Sequence, residues 1–463
     1  MDKDLKKNKI DYFPSISSDN KELFSLLNRT SEILCEWFSE TKSLSPLPSN
    51  KDFKCSIPKE SGCDIKLLLE DIHNLIYCSF NPSHPGSLAH LDPPPLAISI
   101  VGDLISGGLN NNLLAEELSP CISIVEKEIC NWIANQIGFN NLSGGIAASG
   151  GTLNNLNALV TARFISGLES DPNACFVISE DAHSSFKKCA RILGIKQENI
   201  ILVKTDNNGC MFIPSLIQEI DKAKNLGKKI FSIIATLGTT IRGAIDPVNE
   251  IARICREKNI WFHIDGSIGG IFSISNNSLL EKLNINVANS ITINPQKLLG
   301  IAKTSSLLLV SDISNLKRTF YTGLPYVDSS NEILNRGELG IQGSRPAEII
   351  KLWLGLRYLG IKGIDNILEE TISKKSFFEE ILDKKKFDTF TGPLHIITFI
   401  PKYMNKEKSD QWTLRVKNSL LRNKIMISRP FYKGRYLLRI VFGNYNTSES
   451  DIKQIANFLN NQL

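Results

Sequence analysis

Lys297 is the residue of this 463-residue sequence that most directly suggests chemistry. It follows the short apolar segment 290–293 and lies far from any run of basic residues. A lysine at the end of a buried strand loses contact with water, which lowers its pKa and makes the neutral amine a usable nucleophile for Schiff-base chemistry. Asp265 ends an earlier apolar segment, 260–265. A carboxylate in that position needs a cationic or hydrogen-bonding partner, and a protonated ring nitrogen would serve.

Two further polar segments also follow predicted strands. Residues 149–152 place two consecutive glycines at a strand-to-helix junction, where backbone N–H groups can hold a phosphate. His183 lies in another such turn, where an imidazole can stack on a planar group. Taken singly, these features also fit a plain turn, a capping aspartate, a surface lysine and a histidine at a helix start. Their order along one chain favours a site for a phosphate-bearing cofactor.

These residues need a sheet whose strands end at one common edge. From residue 118 onward, short apolar segments alternate with amphipathic helical patterns, which predicts a mainly parallel sheet covered by helices on both faces. Ligands of such sheets bind at the carboxyl ends of the strands. The predicted strands are 174–178, 200–203, 230–236, 260–265, 290–293 and 306–310, and predicted helices include 126–137, 183–193 and 248–258.

The two ends of the chain follow other patterns. Apolar residues recur at helical spacing in 21–40 and 65–77. A long helical pattern, 346–382, precedes alternating strand-like and helical segments that suit a small α+β domain. The expected domains are therefore an N-terminal helical segment, a large α/β domain and a small C-terminal α+β domain, at 1–85, 86–365 and 366–463.

Composition and charge exclude several classes of protein. The sequence is 42% hydrophobic and 22% charged, which indicates a folded chain, and its net charge of +5 is not concentrated on one element as in a nucleic-acid-binding protein. The apolar stretch 230–237 is far shorter than the roughly 20 residues that span a bilayer. Residues 1–9 are charged, unlike a secretory signal. The ten cysteines form no CxxC pair or metal-binding cluster, so we expect a cytoplasmic protein with free thiols and no metal.

The chemical segments together resemble the group II pyridoxal-5′-phosphate (PLP)-dependent decarboxylases, the family of aromatic-amino-acid, glutamate, histidine and diaminobutyrate decarboxylases. The resemblance runs from His84 to about Gly363, about three fifths of the chain. All of the motifs in this order are highly specific. They are Ala148-Ser149-Gly150-Gly151-Thr152, Asp181-Ala182-His183-Ser184-Ser185, Ala235-Thr236-Leu237-Gly238-Thr239-Thr240, Trp261-Phe262-His263-Ile264-Asp265 and Asn294-Pro295-Gln296-Lys297.

The resemblance implies the aspartate-aminotransferase-like PLP fold type I and a set of residue roles. Lys297 would bind the cofactor covalently, and Asp265 would pair with its ring nitrogen. The other cofactor-binding positions would be His183 on the ring face, Gly151, Thr152 and Asn294 at the phosphate, and Thr236 beside the ring.

Two residues would act on the substrate. Arg345 matches the family arginine that holds the α-carboxylate, and Tyr326 matches a mobile-loop tyrosine that protonates the substrate carbon after CO₂ leaves. Two positions depart from the family pattern. Gln296 stands where the family has histidine, and Gly266 replaces an alanine whose methyl group would pack on the ring opposite His183.

The expected function is decarboxylation of an L-amino acid to an amine and CO₂ by a homodimer, as the resemblance implies. Aldol-type lysis or transamination on the same scaffold would share Lys297 and Asp265, whereas Tyr326 and Arg345 favour decarboxylation. A catalytically inactive relative is favoured only by the two departures. The substrate stays open among diaminobutyrate, acidic and aromatic amino acids, although residues 89–95 resemble the diaminobutyrate and acidic branches more than the aromatic one.

Overall fold

The computed structural model describes residues 13–16, 19–49, 53–276, 278–280, 283–323 and 335–463. The chain forms two compact units, Met1–His84 and Pro85–Leu463. The first unit contains helices α1 (Lys21–Ser39) and α2 (Ile65–Tyr77), where the apolar spacing predicts them. Helix α2 begins at a capping aspartate, because the Asp64 carboxylate accepts the backbone N–H of Lys66.

The second unit alternates strands and helices along most of its length. Its described helices are α3 (Ala97–Leu109), α4 (Pro120–Ile137), α5 (Gly151–Ile165), α6 (Ser185–Ile192), α7 (Ile213–Asn225), α8 (Val248–Lys258), α9 (Ser314–Phe320), α10 (Ile349–Ile381), α11 (Lys406–Arg422) and α12 (Glu449–Asn460). Its described strands are β1 (Gly144–Ala148), β2 (Ala174–Ser179), β3 (Ile200–Val203), β4 (Lys229–Thr236), β5 (Trp261–Gly266), β6 (Ser290–Ile293), β7 (Ser306–Val310), β8 (Phe387–Thr391), β9 (Ile396–Pro401), β10 (Phe431–Tyr432), β11 (Arg435–Tyr436) and β12 (Leu438–Val441).

Seven of the described strands form one sheet in the order β1-β7-β6-β5-β4-β2-β3. Strand β7 runs antiparallel to both of its neighbours, β1 and β6, and the other neighbouring pairs of this sheet are parallel. The register sets Thr236 beside Asp265, and Asp265 beside Thr292, so these strands end level with one another. The predicted mostly parallel sheet of a fold type I enzyme is therefore confirmed. Its central strands are buried on both faces, which is why they read as continuous apolar runs.

The C-terminal part builds a second core. Strands β12, β9 and β8 form an antiparallel sheet, which packs with α11 and α12 around aromatic side chains such as Phe399 and Trp412. Helix α10 enters this core through Phe378 after a kink at Gly360, whose φ of 59° is readily adopted by glycine. The expected α+β character is confirmed, while the boundary at residue 365 stays a prediction, because α10 runs through it.

The sequence patterns missed several elements, of which α3 is the most instructive. Its buried face carries Ser99, Gly102 and Ser106, and a Cβ at Gly102 would lie 2.9 Å from the Cα of Lys351 in α10. Close packing therefore uses small residues, while four large apolar side chains of α3 are exposed, which inverts the usual amphipathic pattern. Helix α9 and strands β8, β10 and β11 were also not predicted, and α4 begins at Pro120 rather than at 126. Among the described helices, none is both long and apolar enough to cross a membrane.

Candidate active site

A cavity of about 270 Å³ opens where β1, β2, β4, β5 and β6 end. Because these strands all point the same way, the loops that follow them meet at one edge of the sheet. The cavity brings together all seven residues predicted to bind the cofactor: Gly151, Thr152, His183, Thr236, Asp265, Asn294 and Lys297.

Lys297 presents an amine without a partner to this cavity. It lies in the short turn after β6, and its Nζ makes no hydrogen bond or ion pair with any described residue. Burial lowers the pKa of Lys297, and the Asp265 carboxylate partly opposes that shift. The amine is therefore more readily deprotonated than a surface lysine, as a nucleophile requires.

Asp265 is held by a directed chain of hydrogen bonds. Its Oδ2 accepts Asn155 Nδ2 at 3.1 Å, and Asn155 Oδ1 in turn lies 3.2 Å from His263 Nε2. His263 Nδ1 lies 2.9 Å from Ser290 Oγ, which accepts the indole N–H of Trp261 at 2.9 Å. Since indole can only donate and a carboxylate can only accept, every proton in the chain points towards Asp265. His263 is thereby fixed as the neutral tautomer protonated on Nε2, in keeping with a pKa that burial lowers.

The carboxylate of Asp265 stays charged although it is only 4% exposed. Burial acts to raise its pKa, but hydrogen bonding by Ser267, whose backbone N–H lies 3.1 Å from Oδ1, and the positive charge of Lys297 hold that pKa below its usual value. A buried anion at this position is suited to stabilise a proton on a ring nitrogen placed beside it.

The start of α5 forms a cradle for an anion. A Cβ at Gly151 would lie 2.7 Å from both Asn294 Nδ2 and Ser267 Oγ, so only glycine leaves this space open. Asn294 Oδ1 accepts the hydroxyl of Ser306 at 2.6 Å, which leaves its Nδ2 turned to the cradle without another partner in the described chain. The N–H groups at the start of α5, the Asn294 amide and the Ser267 hydroxyl thus lie around Gly151, and this donor set fits a phosphate.

His183 reaches the cavity from the turn after β2. Its Nδ1 accepts the backbone N–H of Ser185 at 3.2 Å, so the ring proton of the neutral form is on Nε2. Burial lowers the pKa of His183, with a smaller opposing effect from Asp265. A neutral imidazole that is fixed at one nitrogen can present its face to a planar ring.

Gly266 does not occupy the position that the sequence comparison suggested. A Cβ on Gly266 would lie 2.8 Å from the Thr292 carbonyl oxygen and 3.1 Å from the Cα of Gly270, away from the cavity. Ser267 lines the cavity instead, as does Gln296, whose Oε1 accepts the backbone N–H of Ser305 at 2.6 Å. The expectation for Gly266 is therefore wrong, because consecutive residues of an extended chain point to opposite sides.

Arg345 is not among the residues that line the cavity. Its guanidinium binds the fully buried carboxylate of Glu126 through both terminal nitrogens, with Nη2 to Oε1 at 2.6 Å, and Arg336 binds the same carboxylate. Burial acts to raise the pKa of Glu126, but the two arginines hold it below its usual value. The structure thus engages Arg345 in an internal ion pair, and its predicted substrate role stays a prediction. Tyr326 lies outside the described residues.

Arg439 is a half-buried arginine that the sequence analysis did not single out. Its guanidinium donates to Ser428 Oγ at 2.9 Å, to the Ala89 carbonyl at 2.8 Å and to the Thr240 carbonyl, and it makes no ion pair within the described chain. Burial lowers its pKa to about 10. Thr240 lines the cavity, so the Arg439 cation lies directly behind the cavity wall. The only signal in the sequence was an arginine within an apolar strand.

An amine without a partner, a buried carboxylate and a phosphate cradle on a fold type I sheet define an enzyme that uses PLP. Residues 48–396 match the family model described as the pyridoxal-dependent decarboxylase conserved domain. The chain therefore belongs to the pyridoxal-dependent decarboxylases, with PLP as cofactor and amino-acid decarboxylation as reaction.

Curated and solved relatives agree with this family. The chain is 29% identical over 413 residues to the aromatic-L-amino-acid decarboxylase of Bacillus atrophaeus, covering 86% of this chain and 85% of the relative. It is 30% identical over 402 residues to the acidic amino acid decarboxylase GADL1 of Xenopus tropicalis, covering 83% and 77%. The crystal structure of mouse CSAD superposes with a TM-score of 0.89 at 23% identity, covering 96% of this chain and 99% of that one, and shows the shared fold.

Proposed function

We propose that this decarboxylase acts on an acidic L-amino acid, with Lys297, Asp265 and His183 serving PLP and Arg439 serving the substrate carboxylate. The observation that carries the proposal is the arrangement of Lys297, whose amine has no partner among the described residues and faces the same cavity as the buried Asp265 carboxylate. When bound, PLP supplies an aldehyde that condenses with amines and a ring that accepts the electron pair of the breaking Cα–carboxylate bond.

Each residue of the site would have a separate role in binding the cofactor and the substrate. Lys297 would anchor the cofactor and release it to the incoming amino group. Asp265, kept anionic by its hydrogen bonds, would hold a proton on the ring nitrogen, and His183 would fix the plane of the ring. The cradle of Gly151 and Asn294 would bind the phosphate, and the buried wall of the cavity would exclude water from the developing charge.

The substrate carboxylate needs a cation that is not already neutralised. Arg345 is bound by Glu126 at both terminal nitrogens, whereas Arg439 bonds, within the described part of the chain, only to neutral oxygens. An arginine whose hydrogen-bond partners are neutral retains its attraction for a carboxylate, and burial lowers the pKa of Arg439 to about 10 although the Asp92 carboxylate partly opposes that shift. We therefore place the substrate α-carboxylate on the Arg439 side of the cavity and keep Arg345 as the alternative residue for binding it.

The lining of the cavity supports a polar substrate. Among the lining residues of the described chain, Ile268 is the single large apolar one, and none is Phe, Tyr or Trp. An aromatic substrate would gain little from such walls, whereas a second carboxylate would find hydroxyls, amides and nearby cationic groups. The relatives include decarboxylases named for acidic amino acids and for cysteine sulfinic acid, as well as one named for aromatic amino acids.

We further propose a cytoplasmic homodimer. Helix α3 exposes four apolar side chains, Val101, Leu104, Ile105 and Leu109, and a row of this kind on a single helix is typical of a protein–protein interface. All ten cysteines are free thiols, as in proteins of reducing compartments. Light scattering coupled to size-exclusion chromatography should give twice the mass of the 51.6 kDa chain.

A substrate screen tests the proposal. The purified enzyme, supplied with PLP, is offered aspartate, glutamate, cysteine sulfinate, 2,4-diaminobutyrate, phenylalanine, tyrosine and tryptophan, and both CO₂ and amine are measured. Lys297→Ala, prepared in parallel, is the control for reaction at free PLP. We expect turnover of the acidic substrates at least tenfold above that of the aromatic ones. Preference for an aromatic substrate would refute the proposal of an acidic substrate. Equal CO₂ release by the Lys297→Ala control would refute the assignment of the active site.

A further inference from the structure

Asp181 belongs to the Asp181-Ala182-His183 motif but does not line the cavity. Its carboxylate lies on the other side of the turn, where Oδ2 accepts the hydroxyl of Tyr432 at 2.7 Å. Tyr432 is 6% exposed and comes from the β10–β11 hairpin, about 250 residues further along the chain. This contact therefore connects the hairpin to the turn that carries His183.

The hairpin is a well-defined support. Its two strands are joined by Lys433 and Gly434, whose φ values of 45° and 83° are both positive, as in the tight turns that match the twist of a hairpin. At its base, the backbone N–H of Tyr436 donates to Asp410 Oδ1 of α11 at 3.0 Å. The Arg429 guanidinium lies 3.6 Å from the centre of the Tyr436 ring. The position of the Tyr432 hydroxyl is therefore fixed from the C-terminal core.

A second contact joins the same two elements. Lys433 Nζ donates to Thr205 Oγ1 at 3.3 Å, and the Thr205 hydroxyl donates to Glu180 Oε1 at 2.7 Å. Glu180 and Asp181 are consecutive residues at the start of the His183 turn. The hairpin thus contacts this turn directly through Tyr432 and indirectly through Thr205, and the buried tyrosine makes the direct and shorter contact.

We propose that Tyr432 is a positioning residue that acts through Asp181 on His183, and so on the binding of PLP. The inference rests on the proposed role of His183 as the residue that fixes the cofactor ring. Asp181 and His183 are separated in the turn only by Ala182, so the position of the Asp181 carboxylate fixes the backbone that carries His183. A hydrogen bond between the buried Tyr432 hydroxyl and the half-buried Asp181 carboxylate is strong enough to hold a turn in one conformation.

The test measures the dissociation constant of PLP by titrating the apoenzyme, together with the melting temperature of each apoprotein. Tyr432→Phe removes only the hydroxyl and should weaken PLP binding roughly 3- to 10-fold, part of what a charge-assisted hydrogen bond can supply. Tyr436→Phe removes a hydroxyl from the same hairpin and should bind PLP as the wild type does. Asp181→Ala removes the acceptor and should match Tyr432→Phe, which covers the case in which one variant fails to fold.

A double-mutant cycle with His183→Ala shows whether the effect passes through the imidazole. We expect Tyr432→Phe to have no further effect on PLP binding once His183 is absent. An equal loss with and without His183 would show that the hairpin acts by another route and would overturn the inference, as would wild-type affinity in Tyr432→Phe. If His183→Ala alone leaves PLP affinity unchanged, the proposed role of His183 is refuted, and the inference about Tyr432 is refuted with it. This result differs from the others because it is seen in the single His183 variant.

Discussion

Replacement of Asp265 by asparagine tests the central electrostatic claim. The carboxylate accepts two hydrogen bonds, from Asn155 Nδ2 and from the backbone N–H of Ser267, both at 3.1 Å. An amide has one oxygen, so one of these two donors would face the new NH₂ group. A buried donor without a partner costs about 1–3 kcal/mol, which should appear as lower stability of the apoprotein.

The effect on catalysis should be larger than the effect on stability. Without the anion, nothing holds a proton on the ring nitrogen of the cofactor, and the Lys297 amine loses the charge that opposes the lowering of its pKa. We expect kcat to fall at least a thousandfold, a barrier increase of about 4 kcal/mol at 1.36 kcal/mol per decade. Because the pKa of Asp265 is held below its usual value, the carboxylate is charged near neutral pH, so the loss should not depend on pH between 6 and 8.

The matched control exchanges the two side chains, as Asp265→Asn with Asn155→Asp. The double variant keeps one carboxylate and one amide in contact and still offers an acceptor to His263, but it moves the charge away from the ring. Melting temperature should therefore recover while kcat, measured by CO₂ release under saturating PLP, stays low. Activity within tenfold of the wild type, in either the single or the double variant, would show that the position of this charge does not govern the reaction.

Lys297→Ala should abolish the visible absorbance of bound PLP and its trapping by borohydride, and retention of covalent PLP would contradict the assignment of this lysine. Arg439→Gln should raise KM for the substrate by roughly one to two decades with little change in PLP affinity, as expected for a lost charge-assisted contact. An unchanged KM would favour Arg345 as the residue that binds the substrate carboxylate. Arg345→Gln should lower the free energy of unfolding by roughly 3–5 kcal/mol in urea titrations, because it removes one of the two arginines that neutralise the buried Glu126 carboxylate. A change in the free energy of unfolding below about 1 kcal/mol would argue against a structural role for Arg345. Tyr326→Phe should leave CO₂ release nearly intact while the ratio of amine to CO₂ falls below one, and a ratio of one with normal turnover would remove this hydroxyl from the mechanism.

Local sequence determined the parts of the site that depend on a strand and the turn after it. Gly151, Asp265 and Lys297 each follow an apolar segment, and a parallel sheet necessarily brings such strand ends to one edge. The alternation of strands and helices, the fold class and the cofactor site could therefore be predicted, because each signal lies within about ten consecutive residues.

Tertiary structure decided which polar groups are already paired. Arg345 has the sequence context of a substrate-binding residue, yet Glu126, 219 positions away in the chain, occupies its guanidinium. Arg439 has the context of a strand residue, yet it remains without an anionic partner in the described chain because its neighbours there are a hydroxyl and backbone carbonyls. Likewise, the orientation of Asp265 depends on Asn155, 110 positions away, and that of the His183 turn on Tyr432, 251 positions from Asp181. Pairing at such separations depends on how helices pack on the sheet, and no periodicity within a single segment encodes it.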